Sequence, residues 1–110
     1  MKRTLKFIVN GQTIIQDPNC DFSNLVPGTK GYLQAEFKFS KEWAGTDKVA
    51  GFYSNLGREF PPQVIGRNGI CPIPEEATKG EKFKVKVFGL KGADFKLETD
   101  KVLVCQDGGK

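Results

Sequence analysis

Leu33, Ala35, Phe37 and Phe39 alternate with Gln34, Glu36, Lys38 and Ser40. A period of two is the mark of a strand with one face buried and one face wet. The same alternation returns in Leu5, Phe7 and Val9 and again in Phe83, Val85 and Val87. Gly, Pro, Asn and Asp interrupt the chain roughly every ten residues, a spacing that suits a sandwich or small barrel. No helical pattern is long enough to carry the chain between parallel neighbours, so the ladders are expected to be mostly antiparallel. The pattern predicts an all-β fold of about eight short strands.

Arg3–Val9 and Gln12–Gln16 should form a hairpin around Asn10-Gly11, a dipeptide suited to a type I′ turn. Cys20–Gly31 reads as a loop, and the alternating Leu33–Ser40 segment as a central strand. Ser40–Gly45 has the look of a single helical turn, with Ser40 as its cap and Gly45 at its end. Lys48–Tyr53 resumes a strand, and Pro61-Pro62 delays the next ladder until Gln63. Val64-Ile65 and Ile70-Cys71 flank Asn68-Gly69 as a second hairpin, and Pro74 opens a helical turn over Glu75–Lys79. Gly89–Gly92 reads as a turn, followed by a last pair of strands at Phe95–Glu98 and Val102–Cys105. Residues 1–105 are thus expected to make one domain, and 106–110 a loose tail.

The 110 residues contain no histidine. This removes the commonest general base and the most frequent zinc ligand. The thirteen glycines form neither a Walker loop nor a G-x-G-x-x-G run and are assigned to turns. Glu75-Glu76 is the one adjacent acidic pair, and it falls where a helix start favours negative charge. Asp17, Asp21, Asp94 and Asp100 sit in turn-like contexts without the spacing of a calcium loop. Cys20, Cys71 and Cys105 are too far apart for a C-x-x-C pair and read as small buried hydrophobes in a protein made in a reducing cytoplasm. No cofactor is implied. The expectation is a soluble, non-catalytic binding domain, without a membrane span or signal peptide.

The formal charge of +4 is modest and dispersed, which argues against dedicated nucleic-acid binding. Lys82, Lys84 and Lys86 nevertheless project to one face of a strand, about 7 Å apart. They suit an acidic partner, and they equally suit a solvated face that resists strand-to-strand aggregation. Phe83 points to the opposite face, so no exposed aromatic is expected among them. Trp43 is expected to plug the core. Tyr53, with Tyr32 and Trp43, is the candidate for aromatic contact with a partner or a carbohydrate.

Phe37-Lys38-Phe39-Ser40-Lys41-Glu42-Trp43-Ala44-Gly45, Lys48-Val49-Ala50-Gly51-Phe52, Cys71-Pro72-Ile73-Pro74-Glu75 and Val85-Lys86-Val87-Phe88-Gly89 occur in that order. Together, over roughly Tyr32–Cys105, they resemble a small β domain of Firmicutes phages and prophages. That domain forms the N-terminal, virion-attaching part of upper-baseplate, tail-fibre or head-fibre proteins. The resemblance implies an immunoglobulin-like antiparallel β-sandwich with one or two short helical turns. It also implies location in the virion after synthesis in the host cytoplasm, with other virion proteins or further copies of the chain as partners. Such domains usually continue into a fibre, whereas this sequence stops at Lys110, as an excised domain or a stand-alone protein would. Glu75-Glu76-Ala77-Thr78 also lacks the apolar residues often found there. An inhibitor of a host defence protein or enzyme is the second function this composition suits, and a carbohydrate-binding module the third.

Overall fold

A computed structural model describes residues 2–106; Met1 and residues 107–110, most of the expected tail, lie outside the described residues. Nine strands are arranged in two sheets. They are β1 (Arg3–Asn10), β2 (Thr13–Gln16), β3 (Leu33–Phe39), β4 (Asp47–Ser54), β5 (Gln63–Val64), β6 (Ile70–Pro72), β7 (Lys82–Lys91), β8 (Phe95–Glu98) and β9 (Val102–Cys105). The first sheet has the order β2-β1-β3-β6; the second has β5-β4-β7-β8, with β9 also on β7. A single 3-10 turn, Lys41–Trp43, and one α-helical turn, α1 (Glu75–Thr78), complete the elements.

The alternating residues supply the core as expected. Leu5, Phe7 and Val9 face Phe52, Phe83, Val85 and Val87 across the sandwich-like interior, all buried. A continuous run of rings lines the first sheet. Phe22 meets Phe7 edge-on at 5.5 Å, Phe7 stacks on Phe37 at 5.4 Å, Phe37 lies 6.0 Å from Phe39, and Phe39 lies 5.3 Å from Trp43. These separations fall in the range where aromatic pairs attract beyond their burial.

One ladder departs from the antiparallel expectation. β1 and β3 are parallel, from Arg3 opposite Leu33 to Val9 opposite Phe39. No helix makes the return; β2 and the loop 17–32 do. The loop is held by the Arg3 guanidinium, which donates to the carbonyls of Asp21 (2.9 Å) and Ser23 (2.7 Å), and by buried Leu25. The first sheet is therefore mixed and the second antiparallel.

Local differences have local causes. Asn10 stays in the ladder opposite Thr13, so the hairpin turns at Gly11-Gln12. Only Gly11 has positive φ (+58°) there, which is the pattern of a type II′ rather than a type I′ turn. Ser40 does not cap its turn; its Oγ accepts the Gly11 N–H at 2.9 Å and ties the turn to that hairpin. β5 and β6 do not form a hairpin, because β5 pairs with β4 and β6 with β3, and the chain between them crosses from sheet to sheet. β8 and β9 likewise pair with the two ends of the long β7, not with each other. Gln106, expected in the tail, is buried and donates from Nε2 to the carbonyls of Thr78 (3.0 Å) and Gly80 (2.8 Å).

Both open sides between the sheets are bridged. On one, the β5–β6 crossing passes between them. On the other, Asp100 accepts the Ile14 N–H at 3.0 Å while its own N–H reaches the Gln12 carbonyl at 2.9 Å, and Gln16 donates to the Leu103 carbonyl at 3.0 Å.

Not every glycine is at a turn. Gly89 lies inside β7, where a Cβ would sit 2.7 Å from Cζ3 and 2.8 Å from Cε3 of the fully buried Trp43 indole. Gly89→Ala is expected to destabilise the fold by about 1–3 kcal/mol, the usual cost of overpacking. Leu56→Ala, at a side chain 97% exposed, should change little. Urea titration of both variants checks this, and equal midpoints would refute the seating of Trp43 on β7.

Only Cys71 meets the expectation of a buried thiol; Cys20 is half-buried and Cys105 exposed, since Val104 takes the inward position on β9. Burial pushes the Cys71 thiol up to about 12. An aromatic disulfide reagent at neutral pH should label Cys105 in the native protein and Cys71 only after denaturation. Labelling of Cys71 at the rate of Cys105 would contradict this packing.

Candidate functional site

The outer face of the second sheet gathers most of the residues singled out by sequence. β7 alternates, so that Phe83, Val85 and Val87 point to the core while Lys82, Lys84 and Lys86 point outward. Lys82 is exposed, and Lys84 and Lys86 are half-buried. Lys96 on β8 and Lys101 after it join the same face, as the positions of Leu90 opposite Lys96 and of Lys101 over Tyr53 require.

An aromatic pair, unexpected from the sequence, lies among these lysines. Phe88 has the same parity in β7 as Lys82–Lys86 and therefore projects outward beside them. Tyr53 reaches it from β4. The two rings close over Gly51, where a Cβ would come within 2.8 Å of Tyr53 Oη and 3.0 Å of Phe88 Cε2. A glycine in mid-strand is costly on its own, and here its bare backbone makes room for both rings.

The cations are held against this pair. The Lys101 ammonium lies 4.1 Å from the Tyr53 ring centroid and that of Lys86 lies 5.0 Å from Phe88, both within cation–π range. Glu98 on β8 accepts from Lys86 at 2.8 Å and from Lys96 at 3.0 Å. These two hydrogen bonds hold the Glu98 carboxyl below its ordinary range. Burial raises the Tyr53 hydroxyl above its ordinary value, against the opposing pull of Lys86.

Lys82, Lys84, Lys86 and Tyr53 are thus brought together, but Tyr53 lies under Lys101 and is only 8% exposed. Tyr32 is exposed beside the first sheet and Trp43 is fully buried, so the three do not form one aromatic cluster. The indole Nε1 donates to the Gly11 carbonyl at 2.8 Å, a packing role as expected. Phe88, Lys96, Glu98 and Lys101 were not singled out from sequence. For Phe88 the signal was available, because parity in the strand already set it on the lysine face.

No protein family, characterised protein or solved structure matches the chain.

The Glu98 contacts generate a pH signature. A carboxyl whose pKa is lower in the folded state stabilises that state above its unfolded pKa. That contribution fades as the pH falls through the folded pKa. Glu98→Gln should therefore lower the urea midpoint at neutral pH, and the gap from the parent should close below about pH 4, the ordinary glutamate range. A gap unchanged at acid pH would show that Glu98 does not carry this charge coupling.

Proposed function

We propose that the chain is a non-catalytic docking domain of a phage particle, bound to other virion proteins through the lysine–aromatic face of its second sheet. One observation carries this reading. Lys82, Lys84, Lys86, Lys96 and Lys101 share one face of a two-layer scaffold, where they outnumber the carboxylates of Glu98 and, opposite Tyr53, Glu59. Such a face complements an acidic protein surface, where opposite potentials favour encounter and register. Leu103 and Leu90, 38% and 48% exposed, add apolar area beside the charges.

The ordered motifs supply the particle setting. Their residues here are largely core-forming: Phe37, Trp43, Ala50, Phe52, Cys71, Ile73, Val85 and Val87 are all buried. The resemblance thus bears on the scaffold, and the basic face on the docking. An immunoglobulin-like sandwich belongs to the same proposal, supported by the crossings β3 to β4 and β6 to β7 from one sheet to the other.

Mass spectrometry of purified virions should detect the protein at a fixed copy number. Lys82→Glu/Lys84→Glu, at side chains outside the observed ion pairs, should fold normally and be depleted from the particles. Absence from virions would overturn the reading, and recovery with a host enzyme instead would favour the inhibitor.

A further inference from the structure

A groove of about 690 Å³ opens on the side of the molecule away from Asp100. Phe39 and Ile65 line it, together with Lys41, Lys48, Arg67 and Asp47. It exists because two neighbouring ladders stop short. β6 matches β3 only from Gln34 to Glu36, with one further bond from the Phe37 N–H to the Gly69 carbonyl at 2.8 Å. Gly69 has φ +80°, and a Cβ on it would meet the Phe37 carbonyl oxygen at 2.7 Å. The chain turns away at that point, so among the described residues no strand flanks Lys38 and Phe39 on the groove side.

The charges around the groove are uneven. Lys41 and Arg67 are exposed, and no described carboxylate lies within ion-pair distance of either. The Lys48 ammonium is fixed 5.2 Å from the Phe39 ring centroid and donates to the Thr46 carbonyl at 3.1 Å. Asp47 is the one carboxylate in the lining, against three cations.

We propose that this groove receives an extended, acidic segment of a partner protein that also carries apolar side chains. The segment lies beside β3 beyond Glu36, where strand addition can use the open edge. Its carboxylates face Lys41, Lys48 and Arg67, and an apolar side chain rests against the exposed Val64 at the groove wall. A polypeptide fits better than a nucleic acid, since Lys48 already covers Phe39 and leaves no free ring for bases to stack on. The inference concerns a second surface and stands whether or not the lysine–aromatic face binds.

The test is a titration of the isotope-labelled protein, followed by amide chemical shifts, with a seven-residue peptide alternating Glu or Asp with Val or Phe. Its control is the same peptide with Lys for each acid. Shifts should concentrate at Lys38–Phe39, Lys48 and Ile65–Gly69 and appear only with the acidic peptide. Lys41→Glu/Arg67→Glu, two exposed positions that leave the core untouched, should weaken binding by at least about tenfold. Shifts centred on Lys82–Lys101 would overturn the groove while supporting the other face. No shifts, equal shifts with the basic peptide, or equal groove shifts with single-stranded DNA would each overturn the proposal.

Discussion

Trp43 joins the two sheets. Its ring packs on Phe39 of β3, its Nε1 binds the hairpin carbonyl of Gly11, and its six-membered edge rests on the bare backbone of Gly89 in β7. A large side chain with no measurable exposure, reaching both layers, fixes their spacing at that end of the molecule. The surrounding contacts follow from it. Ser40 Oγ meets Gly11, Thr46 Oγ1 donates to the Trp43 carbonyl at 2.7 Å, and Gly45 at φ +78° sends the chain into β4. The crossing from the first sheet to the second is built around the indole.

The strands were legible where one face is dry, because burial on one side writes a period of two into the residues. β1, β3 and β7 follow it closely, and the expected placing of β3 between neighbours holds, with β1 on one side and β6 on the other. Pairing was less legible. Asn68-Gly69 carries the chemistry of a hairpin turn, yet Gly69 serves a crossing between sheets, and no local signal separates those uses. The parallel β1–β3 ladder was hidden for a related reason. Its return path is an irregular loop fastened by Arg3, Leu25 and Phe22, and the Arg3 and Phe22 contacts join residues about 15 to 20 positions apart, which a pattern of neighbours does not encode.

The two mid-strand glycines show why part of the site was missed. Gly51 and Gly89 look like turn residues by type alone, but each removes a Cβ so that a ring can approach the backbone. The ring is Trp43 on the inner face and the Tyr53–Phe88 pair on the outer face. The outer pair then gives the lysines something to rest on. A face that reads as three solvated ammonium groups becomes an ordered surface in which Lys86 is shared between Phe88 and Glu98, and Lys101 covers Tyr53. Ordering long side chains before a partner arrives reduces the entropy lost on binding.

The acidic residues explain why positive charge is left over. Asp17 accepts the Asn19 N–H, Asp21 holds Ser23, Asp100 bridges β2 to the second sheet, and Glu98 gathers Lys86 and Lys96. These carboxylates are engaged in keeping turns and edges in place. Lys41, Arg67, Lys82, Lys84 and Lys101 have no such carboxylate at ion-pair distance among the described residues. Part of the positive charge that is dispersed in the sequence is thus brought together by the fold. It collects on two surfaces with different shapes: a broad sheet face with rings beneath its ammonium groups, and a groove beside an open strand edge. A flat face matches a folded acidic surface, whereas a groove with an unpaired edge matches an extended chain. The same charge balance therefore supports two modes of docking, separated by geometry alone.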